Sequence, residues 1–157
     1  DAAGVSAPRH RLAVRRSWRG SVLSLTFHWP VRVYWEDTDA GGVVYYANYL
    51  KFLERARSEW LRSFGFEQDA LRDETGVVFV VRRVEIDYLA PARFNDQLDV
   101  AVSLHEAGRA SFVVRQELMR GETRLAKAVV TLACVDAVQF KPVKIPAPIL
   151  QALAQAT

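Results

Sequence analysis

Apolar and polar residues alternate through Leu23-Ser24-Leu25-Thr26-Phe27-His28-Trp29, and after Pro30 the alternation resumes as Val31-Arg32-Val33-Tyr34-Trp35. A period of two predicts an extended strand. The proline puts that strand at a sheet edge or a strand start, because it has no N–H for a central ladder. From Asn48 the period lengthens, and Tyr49, Phe52, Leu53, Ala56, Trp60, Leu61 and Phe64 fall on one face of a helix. Lys51, Glu54, Arg55, Arg57, Ser58, Glu59 and Arg62 read as its solvated face. There Arg55–Glu59 and Glu54–Arg57 are neighbours at helical spacing, each pair worth roughly a few tenths of a kcal/mol. Gly65 is placed to stop the helix, since it accepts the left-handed conformation.

The pattern then returns to strands. Val77 to Tyr88 opens as an apolar run and ends with Val84, Ile86 and Tyr88 opposite Arg83, Glu85 and Asp87. Pro91 and Asn95-Asp96 break the run. Leu98, Val100, Val102 and Leu104 alternate, Ala107-Gly108 turns, and Phe112, Val114 and Leu118 follow. Gly121-Glu122 turns the chain into Leu125–Val135, Pro142, Pro146 and Pro148 end the sheet, and Ile149, Leu150 and Leu153 suggest a short last helix. Strands joined by short turns are antiparallel neighbours. One helix with a broad apolar face and about four consecutive strands make an α+β layer arrangement, the helix wrapped by a curved antiparallel sheet.

Composition changes this picture little. A chain of 157 residues, half of them hydrophobic and a quarter charged, suits one domain with a real core. No repeat or linker divides it. The net charge of +3 supports no nucleic-acid claim, and much of it sits in Arg9, Arg11, Arg15, Arg16 and Arg19, read as a basic extension over residues 1–22. A single cysteine, Cys134, allows no intrachain disulfide and reads as a small buried hydrophobe. No run reaches the ~20 apolar residues of a membrane span. Leu12 to Leu25 is interrupted by arginine, tryptophan and glycine and lacks the continuous apolar segment of a secretory signal.

The candidate chemistry lies between the first strand and the long helix, where Asp37, Asp39, Gly41 and Gly42 crowd one loop. A calcium loop starting at Asp37 would need ligands at Gly41 and Asn48, which supply none of the required carboxylates. A phosphotransfer aspartate of the Asp-x-Asp type needs parallel strand–helix units, and the strands here follow one another directly. A third reading is a carboxylate beside a helix N-terminus. Free N–H groups there favour negative charge and can polarise a thioester carbonyl, while the carboxylate serves as general base or nucleophile. The plain alternative is an aspartate that caps the helix.

The run Val33-Tyr34-Trp35-Glu36-Asp37-Thr38-Asp39-Ala40-Gly41-Gly42-Val43-Val44-Tyr45 resembles the motif of hotdog-fold thioesterases of the hydroxybenzoyl-CoA thioesterase superfamily. It looks closest to the bacterial acyl-CoA thioesterases associated with the Tol–Pal cluster. The likeness continues through Tyr49, Glu54-Arg55-Ala56-Arg57, Trp60-Leu61-Arg62, Phe79-Val80-Val81-Arg82, Tyr88-Leu89-Ala90-Pro91-Ala92-Arg93 and Cys134-Val135-Asp136, covering roughly residues 31–146. It implies a single hotdog domain over residues 23–157 and the hydrolysis of an acyl-CoA thioester without metal or other cofactor.

Residue by residue, the resemblance puts the catalytic carboxylate on Asp39 and the carbonyl-polarising amide on Tyr46. Gly42 shapes the pocket, and Val43, Val44 and Tyr45 lie on its substrate side. Asp37 is left to hold the loop. Many Tol–Pal-type members carry His where this chain has Tyr46, which leaves acyl preference open. Arg82, Arg83, Arg109 and Ser111 fall near positions where relatives bind the CoA nucleotide. His28 and His105 lie outside the motif, which disfavours a hotdog dehydratase relying on a histidine acid/base pair.

The resemblance also implies homodimers joined sheet edge to sheet edge, often paired into tetramers, with the active site between subunits. A cytoplasmic location follows, including the inner face of the cytoplasmic membrane. The rival reading is a partner-binding protein of the cell-envelope and phospholipid-synthesis machinery. It would contact acyl carrier protein and phospholipid-synthesis enzymes and keep only weak or vestigial hydrolase activity.

Overall fold

The computed structural model describes residues 26–156; the basic extension over residues 1–22 and the start of the first alternating run, Leu23–Leu25, lie outside the described residues. The chain runs through β1 (Phe27–Arg32), a single 3-10 turn (Trp35–Asp37), α1 (Asn48–Ser63), α2 (Gln68–Thr75), β2 (Val77–Tyr88), β3 (Gln97–Ala107), β4 (Ser111–Arg120), β5 (Thr123–Asp136) and α3 (Ala147–Gln155). The five strands form one sheet in the order β1-β3-β4-β5-β2, with every neighbouring pair antiparallel. Pro30 lies within β1 opposite Asp99, on an edge strand as its missing N–H requires. The strand is shorter than its alternation suggests. It ends at Arg32 because the Asp37 carboxylate accepts the Tyr34 N–H at 2.8 Å and folds the next residues into the 3-10 turn.

Helix α1 lies against β1 and β3 and buries Tyr49, Phe52, Leu53, Ala56, Trp60 and Leu61. Phe27, Val100, Val102, Phe112, Val114, Leu118, Val130 and Leu132 meet them from the sheet. The helix closes as expected after Phe64. Gly65 takes φ +89, its N–H reaches Arg62 O, and the Phe66 N–H reaches Leu61 O, the paired bonds of a Schellman stop.

One residue departs from the expected faces of α1. Arg57 is buried, because it stands four residues from both Leu53 and Leu61 on the inward stripe. Its guanidinium donates to Gln116 Oε1 on β4 at 3.0 Å, and Gln116 Nε2 donates in turn to Leu53 O at 2.9 Å. Helix α2 is an addition to the expected elements. It has no buried residue and is closed by Gly76, so its sequence carried little periodic signal.

Candidate active site

Asp37 organises the loop between β1 and α1. It is 4% exposed; besides holding the Tyr34 N–H, its backbone carbonyl accepts the Tyr45 N–H at 3.0 Å and the Asn48 side-chain amide at 2.9 Å. The aspartate thereby ties the loop to the first residue of α1, the holding role expected for it.

Asp39 stands two residues further on and is exposed. Its backbone pairs with Val43 and Gly42, closing a tight turn, and its Oδ1 accepts the Gly41 N–H at 2.8 Å. A Cβ on Gly41 would sit 3.0 Å from that oxygen, so a larger residue would push the carboxylate aside. Gly42 occupies φ +76, a conformation costly for any residue with a side chain. Asp39 does not cap the helix. The N-cap position is Ala47, and no side chain bonds to the helix start there.

The helix start is held from outside. Val43 and Val44 form a short bridge with the loop after β2, Val44 N–H bonding to Ala92 O at 2.8 Å. Tyr49, buried in the first turn of α1, accepts the Ala92 N–H on its hydroxyl at 2.9 Å. Asn48 N–H bonds back to Tyr45 O. Among the described residues, the N–H of Tyr46 has no hydrogen-bond partner. A free amide two residues before a 16-residue helix, in a loop that also carries an exposed carboxylate, can stabilise developing negative charge on an oxygen.

A groove of ≈ 310 Å³ opens beside this amide, lined by Val43, Val44, Tyr46, Tyr49, Tyr88, Leu89, Ala90 and Pro91. Tyr45, Tyr46, Tyr88 and Leu89 are all well exposed around it. The Tyr45 phenol is held above its ordinary pKa, chiefly by the neighbouring Tyr46 side chain and least by the charge of Asp39. Tyr88 and Tyr49 escaped the sequence reading of the site. Tyr88 shows there as the last position of an alternating strand and as part of the family likeness, with no site role, and its contact lies 42 residues away in sequence.

The remaining candidates fall elsewhere in the chain. Arg82 is the extra residue at the bulge of β2, and Arg83 is exposed and ion-paired with Glu85. Ser111 begins β4 opposite Ala133, whereas Tyr88 pairs with Ala126. Seven residues of strand separate those positions, roughly 24 Å along β5. A single chain therefore does not bring Arg109 and Ser111 to Asp39. Cys134 is buried, and burial raises its thiol pKa, so it is an inert core residue as expected. His28 bonds to Asp99 at 2.6 Å and His105 to Arg115, both on the sheet and away from the loop.

Comparison with known proteins agrees with this architecture. The sequence profile of the thioesterase-like superfamily matches residues 33–153. The chain is 49% identical to the acyl-CoA thioesterase YbgC of Haemophilus influenzae over 76% of its own length and 88% of that protein. It is 47% identical to the acyl-CoA thioester hydrolase YbgC of Escherichia coli O6:H1, covering 79% of this chain and 92% of that one. Among solved structures, a probable thioesterase from Bartonella henselae superposes with a TM-score of 0.73 at 36% identity, over 77% of this chain and 99% of its own.

Proposed function

The chain belongs to the thioesterase-like superfamily and has the hotdog fold, and from that premise we propose that it hydrolyses acyl-CoA thioesters at Asp39 and the Tyr46 amide. The observation that carries the assignment of residues is the unpartnered Tyr46 N–H just before α1, in a loop whose exposed carboxylate, Asp39, does not cap the helix. A thioester seated in the groove directs its carbonyl oxygen at that N–H. Asp39 takes a proton from water as the water oxygen bonds to the carbonyl carbon. The oxyanion rests on the amide until the C–S bond breaks, the proton passes to the thiolate, and acid and CoA leave. In the alternative course Asp39 attacks the carbon itself, forming an acyl anhydride that water then opens. Gly42 gives the loop its turn, Val43 and Val44 line the groove on the acyl side, and the exposed Tyr45 ring packs against Tyr46 at its margin.

Replacing Asp39 by Asn keeps the Gly41 hydrogen bond and removes only the basic charge. Turnover of acyl-CoA thioesters should fall by roughly 10²–10⁴-fold, with the thermal midpoint unchanged. Near-native hydrolysis in that variant would remove Asp39 from the mechanism. A screen across butyryl-, palmitoyl- and benzoyl-CoA reads the acyl preference, and mass spectrometry of a slow reaction distinguishes the anhydride from direct attack by water.

Two copies joined antiparallel through β2 complete the site in this reading. Such pairing sets the Val77 end of one β2 beside the Tyr88 end of its partner, which carries the Arg109 and Ser111 region toward the other copy's Asp39. Arg82, Arg83 and Arg109 then supply guanidinium groups suited to the phosphates of CoA. A further role at the cell envelope, with acyl carrier protein or phospholipid-synthesis enzymes, is favoured by one observation. Trp35 is 76% exposed, and its ring packs edge-on against the exposed Phe94 at 5.1 Å, outside the groove. Equal in vivo complementation by native chain and the Asp39→Asn variant would select that role over hydrolysis.

A further inference from the structure

Helix α1 does not begin with regular helical bonds. Leu50 N–H, which in a continuing helix would bond to Tyr46 O, instead bonds to Ala47 O at 3.2 Å. The Tyr46 carbonyl is taken up from another element. Tyr88, the last residue of β2, donates its hydroxyl to Tyr46 O at 2.8 Å. The Tyr88 ring meets the Tyr49 ring edge-on at 5.1 Å and the Tyr46 ring edge-on at 6.3 Å. Tyr49 is buried and bonded to the Ala92 backbone, so the donor is braced by both sheet and helix.

The bonds around residue 46 form a consistent set. The amides of Val44 and Tyr45 are held by Ala92 O and Asp37 O, and the carbonyl of Tyr46 is held by Tyr88. Between them the Tyr46 N–H is left without a partner. We infer that Tyr88 is a positioning residue for hydrolysis: its hydroxyl fixes the Tyr46 backbone so that the free amide points at the substrate carbonyl. The inference rests on the assignment of Asp39 and Tyr46 given above. A donor is needed at all working pH values, and burial, with smaller contributions from Tyr49 and Tyr46, raises the Tyr88 phenol pKa and keeps it protonated.

The test is Tyr88→Phe, which keeps the ring contacts and deletes one hydroxyl, assayed beside Asp39→Asn on whichever of butyryl-, palmitoyl- and benzoyl-CoA the native chain hydrolyses fastest. An amide that stabilises only the transition state gives a fall in kcat and kcat/KM together of about tenfold, with KM changed by less than about twofold. The Tyr46 and Ala47 amide resonances should shift while the thermal midpoint stays put. Tyr88→Leu, which also removes the ring, should lower kcat at least as far. Native kcat in Tyr88→Phe, with Asp39→Asn inactive, overturns the positioning role and leaves the hydrolytic centre standing. A lowered thermal midpoint with native kcat also overturns it, showing a merely structural hydroxyl. Activity in Asp39→Asn instead strikes at the underlying assignment.

Discussion

A guanidinium in the core is the most demanding residue of this fold. Arg57 is 8% exposed, and the partner described for it is the neutral Gln116, which is itself 1% exposed. Burial lowers the pKa of the guanidinium, while the charge of Glu54 acts the other way. An arginine does not give up its proton in a protein, so the cost must be met by hydrogen bonds. Gln116 → Leu would leave that charge without its acceptor and release Leu53 O as well. We expect a loss of roughly 2–3 kcal/mol, read from urea denaturation midpoints. Adding Arg57→Met should restore most of the stability, because an apolar pair of similar volume needs no partner. A double variant no better than the single one would mean that Arg57 is not the source of the cost. Position 57 belongs to the inward stripe by spacing alone, yet its chemistry assigns it outward, and only the facing Gln116 resolves the conflict.

At the scale of elements, the loop joining β2 to β3 decides where the segment between β1 and α1 sits. It bonds to Val44 through Ala92 and to Val33 through Asn95 and Asp96. Asp96 is its knot: its Oδ2 accepts the Arg93 N–H at 2.9 Å and Arg120 Nη1 from β4 at 2.7 Å. Desolvation would raise the Asp96 pKa, but the Arg120 hydrogen bond, the Arg93 amide and both positive charges outweigh it and hold the carboxyl below its ordinary range. A carboxyl with a depressed folded-state pKa contributes stability above its unfolded value, about 3.9, and loses it as the pH falls through the folded value. Asp96→Asn should therefore destabilise the chain by on the order of 1 kcal/mol at pH 7. That gap should close as the pH approaches the acid end of urea titrations, and a gap constant down to pH 3 would contradict the account. Turnover should fall with Asp96→Asn at neutral pH, since the loop braces both Val44 and Tyr49.

At the scale of the whole molecule, one edge of the sheet is a long strand paired on one side. Among the described residues, β2 is paired only with β5, so along this 12-residue strand the backbone groups of alternate residues face a free edge, with Val81 47% exposed. A long apolar edge is a template for pairing with another strand. Two copies joined there would extend the sheet across a twofold axis, and sedimentation should return a dimer or a multiple of it. Val81→Asp brings like charges to that edge and should shift the chain to monomer; in the proposed shared site, which would then lack a partner's arginines, turnover should fall by at least about tenfold. A monomeric native chain with full activity would rule out a shared site.

The order of elements, the apolar face of α1, its stop at Gly65 and the edge position of β1 were all legible in the sequence. They depend on periodicity and on the backbone chemistry of glycine and proline, which act within a few residues. The motif around Asp39 was legible too, and so was the holding role of Asp37, whose bonds reach no further than 11 residues. Helix α2 was not, because with no buried residue it has no stripe to read. What only tertiary structure decided are the contacts across the fold. Gln116 meets Arg57 from 59 residues away, Tyr88 reaches the Tyr46 carbonyl from 42, and Ala92 bonds to Tyr49 across 43. A side chain's partner over such separations is fixed by strand register and helix docking. Local pattern therefore marked the loop that carries Asp39, and the packing of β2 and its loop against the start of α1 fixed which backbone groups of that segment are paired and left the Tyr46 N–H free.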